Sequence, residues 1–461
     1  MDLHKSAFLL PKMSPSKGLD MKLRYLIAGL FFVGMATGTA FAADLPTTKS
    51  PEVPPAPPSW WDSFTVNGVI DSGITFNPAL SPGGNNFGSL FTDKANEPLL
   101  NQMSLIAQRP IDPNAKTVDF GFKLQLMYGS DARYTHFLGE CDYCIGNINQ
   151  FDVVEAWGAV HLPYVFGGGI DVKVGQFVTL LGAEVINAPD NLFYSHSYIF
   201  NFGVPFKDTG VMTVAHVTPM VDIYAGAVTG VNTSVGWNSP AFGDPGDNNN
   251  AAAFEGGIGL NNLLNGTVTV LATTNIGPEN PNTPLGIAAC ACDPNTTYRY
   301  LNDMVITWKA TDKLTFITDA NYIHDDGYLP GGVSGYGVAE YASYALNDWL
   351  KINGRAEVWR DNNGVFVAAY PGNFDFVNVE HGYPSGAFGA PGAANFQGNT
   401  YMELTAGVTL SPVLPKQVPI LKAVLIRPEI RYDTSLNNTT PFDYGTKSSG
   451  VTFGGDLIAK F

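Results

Sequence analysis

Long stretches of the chain alternate apolar and polar residues with a period of two. In VDFGFKLQLMYG, Val118, Phe120, Phe122, Leu124, Leu126 and Tyr128 share one side, and Asp119, Gly121, Lys123, Gln125, Met127 and Gly129 share the other. Side chains on a strand point to alternate faces, so this segment reads as a strand with one apolar and one largely polar face. A helix would scatter the same residues around its circumference. FTVNGVIDSGITF (64–76) and the final GVTFGGDLIAKF (450–461) repeat the pattern. Further strands are predicted near 99–109, 151–162, 170–180, 209–218, 221–231, 252–260, 266–276, 298–309, 313–324, 335–346, 350–361, 400–411 and 422–433. With 118–128 that makes about sixteen, roughly fourteen to eighteen, each near the ~10 residues of a tilted membrane strand.

The links between these segments alternate in length. PM (219–220), NNLLN (261–265), ATD (310–312) and NDW (347–349) are short, while 77–98, 181–208, 232–251 and 362–399 are long. Short turns on one rim and long loops on the other define an all-β, antiparallel transmembrane barrel, with the short turns on the periplasmic side. Backbone polar groups in lipid must all be paired, so strands can cross only as a closed barrel. An even strand number returns both ends of the barrel to the short-turn side. A soluble sandwich has no reason to keep this rhythm.

Composition agrees. The chain has 50 Gly, 29 Phe and 20 Tyr but only 14% charged residues, against ~25% for an ordinary soluble domain. Within MKLRYLIAGLFFVGMATGTAFA (21–42), Lys22 and Arg24 precede an apolar core and Ala40-Phe41-Ala42 supplies a small-x-small site. This is the pattern of a signal peptide, with cleavage expected after Ala42 and export in a Gram-negative bacterium. Residues 1–20 read as a start assigned too early, 43–62 as a periplasmic linker around PEVPPAPP, and 63–461 as the barrel. The formal charge of −16 becomes −19 once residues 1–42, with five Lys/Arg against two Asp/Glu, are removed. That argues against a nucleic-acid partner.

Chemistry-bearing motifs are sparse. His161 and His216 lie just before predicted periplasmic turns, and no Ser–His pair of a barrel phospholipase can be placed. GDPGDNNN (243–250) lacks EF-hand spacing. Neither a cofactor nor a metal is expected. Cys141 and Cys144 (CDYC) and Cys290 and Cys292 (CAC) are disulfide candidates in two outer-rim loops, with three pairings open.

Four segments carry a resemblance: GQFVTLLGAEV (175–185), NLFYSHSYIFNFGVPFKDTGV (191–211), GRAEVWRD (354–361) and IRPEIRYD (426–433). In these the chain resembles the OmpL-like putative β-barrel porins of Gram-negative outer membranes. Gln176 departs from the Lys often found there. The resemblance implies passive diffusion of ions and small hydrophilic solutes through a water-filled barrel embedded in outer-membrane lipid and lipopolysaccharide. It also implies assembly by the barrel-assembly machinery, for which the C-terminal aromatic Phe461 serves as the signal. A homotrimer is usual for barrels of this size, though the sequence marks no trimer face.

The inward rows supply the site candidates. Lys123 and Lys173 project inward from early strands; Arg355 and Glu357, then Glu403, then Arg427, Glu429 and Arg431 project from three late ones. Opposed rows of charge create a transverse field that orders water and selects among ions. Equally, these side chains neutralise one another as a ladder within the wall. The third long loop, 181–208, carries Glu184, Asp190, His196, Lys207 and Asp208 among several aromatics. It is expected either to fold inward as a constriction or to lie outside as a lid. The rivals to a porin are an outer-membrane enzyme of phospholipase type and an adhesin or receptor barrel with a plugged lumen.

Overall fold

The structure is a computed structural model that describes residues 60–137, 140, 148–234, 247–249, 251–282, 287–288, 290–367, 397–415 and 420–461. Residues 59–461 form one compact unit. Sixteen strands run in chain order: β1 (Thr65–Phe76), β2 (Pro98–Arg109), β3 (Asp119–Gly129), β4 (Gln150–Leu162), β5 (Ile170–Val178), β6 (Lys207–Thr218), β7 (Val221–Val228) and β8 (Ala253–Asn262). The second half holds β9 (Val268–Pro278), β10 (Tyr298–Lys309), β11 (Leu314–Asp325), β12 (Val333–Asn347), β13 (Leu350–Asp361), β14 (Asn399–Leu410), β15 (Ala423–Ser435) and β16 (Ser449–Lys460). Each bonds antiparallel to its chain neighbours, and β1 pairs with β16, so the sheet is a closed barrel without an edge. The two-residue period thus gives the strand number, class and approximate positions. β5 and β7 stop two or three residues short of expectation, where the backbone turns into long loops.

Alternation along each strand separates two environments. On β3, Phe120, Leu124 and Tyr128 are exposed outward while Asp119, Gln125 and Met127 are buried inward. The long connections gather on one rim: L1 (77–97), L2 (130–149), L3 (179–206), L4 (229–252), L5 (279–297), L7 (362–398) and L8 (436–448), with L6 (326–332) the shortest. At the other rim Met220 and Pro219 alone join β6 to β7. Phe461 extends the closure past β16: its N–H donates to Gly68 O at 2.8 Å, and Gly68 N donates back at 3.2 Å.

Unlike an ordinary sandwich, the molecule keeps its main apolar cluster inside the cylinder, toward the long-loop rim. L1 contributes Leu90 and Phe91, L2 Tyr134, and L3 Phe193, Tyr198, Ile199 and Phe200, all packed against Tyr341, Trp359 and Tyr401 of the wall. Each such side chain taken from water is worth about 1.5–3 kcal/mol, so the three loops hold one another in place. Small residues make room for them. A Cβ on Gly73 of β1 would lie 2.4 Å from the Tyr194 ring, so only glycine lets that ring reach the wall.

Candidate functional site: a loop strapped across the lumen

L3 is irregular apart from a 3-10 turn (Ala188–Asp190) and a π-helical turn (Ile199–Gly203). Its backbone groups therefore need partners from elsewhere, because buried N–H and C=O groups are costly unpaired. The inward rows of the barrel supply them. Where L3 leaves β5, acidic side chains accept its amides: Glu255 of β8 from Leu180 N at 2.8 Å, Asp303 of β10 from Gly182 N at 3.0 Å, and Asp319 of β11 from Ala183 N at 2.9 Å. On the wall formed by β13 and β15, Glu357 accepts from Tyr198 N (2.6 Å) and Ile199 N (2.8 Å), and Glu429 accepts from Tyr194 N (2.9 Å) and Ser195 N (3.1 Å).

Arginines deal with the carbonyls. Arg355 donates to Ser195 O at 2.8 Å, Arg427 to Ala188 O (2.9 Å) and Asn191 O (2.6 Å), and Arg431 to His196 O. Each arginine is also neutralised: Arg355 by Glu403 (2.9 Å) and Glu184 (2.7 Å), Arg427 by Asp456, and Arg431 by Asp433 (2.8 Å). Charge-assisted bonds of this kind are about twice as strong as neutral ones. L3 is thus tied to β8, β10 and β11 by acids, and to β13 and β15 by both signs of charge.

Glu184 is the node of this network. It accepts from Arg355, from Tyr341 Oη at 3.0 Å and from Ser197 N at 3.1 Å, with His196 Nδ1 at 2.8 Å. Burial pulls its carboxyl upward, but Arg355 and His196 outweigh that and hold it at about 2. Gln102 on β2 couples L3 to L2, donating to Ile186 O (2.6 Å) and to Asp131 Oδ2 (2.9 Å).

The charges named from the sequence fall into two groups. Arg355, Glu357, Glu403, Arg427, Glu429 and Arg431 are all buried and converge beneath L3. Glu184 joins them from the loop itself. Lys207 and Asp208 are also buried, but apart: Lys207 pairs with Asp152 at 2.6 Å, and Asn275 donates to Asp208 at 3.3 Å. Lys123, paired with Glu155, and Lys173, with its ammonium 4.9 Å from the Trp157 ring centre, stay partly accessible, while Asp190 is exposed. Asp190 takes only Asn187 Nδ2, at 2.5 Å. The sequence reading missed Glu255, Asp303 and Asp319. Their signal was present, since each occupies a polar inward position on a recognised strand.

Cys290 and Cys292 are bonded to each other, while Cys141 and Cys144 lie outside the described residues. His161 and His216 form a chain with Asp171 and Asp222 at the short-turn rim (His161 Nδ1 to Asp171 at 2.6 Å, His216 Nδ1 to Asp222 at 2.7 Å). Among the described residues no group of His, Cys, Asp or Glu has an arrangement that could hold a metal ion.

A closed cylinder of this size, with an inward-folded third loop and an outward apolar band, defines a porin-type outer-membrane barrel. Residues 63–461 match the family described as "Putative beta-barrel porin-2, OmpL-like", and the chain belongs to that family. The family and the barrel together put the chain in the outer membrane. Among solved structures it is similar to the anion-selective porin of Comamonas acidovorans (8% identity, TM-score 0.51, covering 87% of this chain and 99% of that one). It is also similar to the outer-membrane channel DcaP of Acinetobacter baumannii (11% identity, TM-score 0.48, 86% and 97%) and to OprB of Pseudomonas putida (15% identity, TM-score 0.49, 87% and 94%). At 8% identity the likeness to the Comamonas porin is one of fold alone. Comparison with curated proteins finds no match.

Proposed function

We propose that this chain is a diffusion porin, without enzymatic activity, that passes ions and small hydrophilic solutes along a water-filled path narrowed by L3. The observation that carries this reading is the short-turn half of the lumen. There the inward rows carry Lys123, Lys173, Thr269, Lys309 and Lys351, all at least partly accessible, and sixteen strands enclose room for water. In this reading Arg355, Glu357, Glu403, Arg427, Glu429 and Arg431 fix L3, while Lys123, Lys173 and Asp190 act on the permeating ion. The mature chain begins at Ala43, and Phe461 marks it for assembly in lipid and lipopolysaccharide. Ion current across a planar bilayer containing the purified chain tests this, and stable stepwise currents are expected.

One observation favours a second reading, a receptor barrel with a plugged lumen: the apolar cluster of L1, L2 and L3 fills the long-loop half. A folded protein that gives no current would support it over the porin.

A further inference from the structure

The outward rows of a membrane barrel should be apolar, and Glu340 breaks that rule. It lies on the outward row of β12, midway between the exposed Tyr336 and Tyr344, whose rings mark the two interfacial bands. Among the described strand residues, the outward rows carry no other carboxylate. Within its own chain Glu340 accepts one hydrogen bond, from Thr318 Oγ1 of β11 at 2.6 Å. An ionised carboxylate can accept about four, and hydrocarbon supplies no donor.

The wall beside Glu340 is hollow. Ala342, Gly354, Ala356 and Ala406 are its small neighbours on β12, β13 and β14, and with Leu404 and Tyr432 they border a cavity of about 500 Å³. A Cβ on Gly354 would meet nothing within 4 Å. Across β11, on β10, stands another polar outward group, Asn302. Its Oδ1 accepts from Thr274 at 3.0 Å, and its side-chain amide has no hydrogen-bond acceptor among the described residues. One face therefore holds an acceptor short of donors and a donor short of acceptors, on either flank of a single strand.

We propose that this face, centred on β11, is the contact between two copies of the chain within the membrane. A two-fold contact joins the same patch on both partners. With the axis near Ala320 of β11, β10 of each copy faces β12 of the other, and the Asn302 amide donates to Glu340 twice. Acyl chains could fill the hollow but could not satisfy the carboxylate. Such a contact closes at two copies, not at the three usual for barrels of this size, and it holds whether or not the barrel conducts.

The test is photocrosslinking in native outer membranes, with benzoylphenylalanine incorporated in the full chain at Ala320 or, on the opposite wall, at the exposed Leu124. Ala320 should give a covalent two-copy band and Leu124 none. Glu340→Leu in the Ala320 background should reduce that band at least tenfold while heat-modifiable migration reports a folded barrel. If the substituted chain does not fold, the Ala320 and Leu124 results decide alone. A two-copy band equally strong from Leu124, a three-copy ladder, crosslinks from Ala320 to lipid only, or a Glu340→Leu band of unchanged strength in a folded barrel would each overturn the proposal.

Discussion

Replacing Arg355 with Met tests the strap most sharply. The side chain is buried and spans β13, β14 and L3, contacting Glu403, Glu184 and the Ser195 carbonyl. Met keeps much of the volume, so packing changes little, but two buried carboxylates lose their cation. Breaking such a pair by removing one partner costs about 3–5 kcal/mol. The barrel wall does not carry that cost, because β13 keeps its full ladder with β12 and β14. The loop carries it, since expelling L3 returns Glu184 to water. At 1.4 kcal/mol per decade, the ratio of seated to released L3 should fall by about 10² to 4 × 10³. Limited proteolysis of the intact barrel should then cut within 186–203 at least a hundredfold faster, and single-channel traces should become noisier. Lys351→Met, an exposed inward position on the same strand that anchors nothing in L3, is the control. If Arg355→Met leaves cleavage of L3 and channel noise unchanged, the network does not hold the loop.

Gly73→Leu should displace Tyr194 and impair seating of L3, seen as the same increase in proteolysis, because its Cβ alone would lie 2.4 Å from the ring. Reversing both Lys123 and Lys173 to Glu should shift the reversal potential toward cations, and the shift should shrink at 1 M salt, where the Debye length is ~3 Å. Deleting Phe461 removes the reciprocal Gly68 hydrogen bonds; pulse-chase should show periplasmic accumulation, and normal insertion kinetics would count against the assembly role. Glu184, held near 2 against an ordinary 4.5, stabilises the strapped loop above pH 4.5 and loses that contribution as pH falls toward 2. L3 proteolysis by an acid protease should therefore rise between those limits, and in Glu184→Gln the rise should be absent.

What was legible in the sequence was local. The alternation in VDFGFKLQLMYG fixes a strand whatever surrounds it, and sixteen such segments with alternating links leave a closed barrel as the one arrangement without an open edge. The inward placement of Arg355, Glu357, Arg427 and Glu429 followed from the same parity. Their partners did not, because Glu184 lies 171 residues from Arg355 in sequence and meets it only when L3 folds inward. Glu255, Asp303 and Asp319 were passed over for that reason: a lone inward carboxylate shows no purpose until a loop amide arrives. Phe91 and Tyr134 sit in segments between predicted strands, and their burial depends wholly on the cylinder around them. The Cys290–Cys292 bond is one of the pairings that four cysteines leave open.

The account stands or falls on whether L3 narrows a conducting path. Paired single-channel recordings of the wild-type chain and of a variant with residues 186–203 replaced by a short Gly/Ser link address this directly. The account predicts stable currents from the wild type, and larger and less ion-selective ones from the variant. Silence from a folded wild-type barrel, or equal conductance from the two, would contradict it.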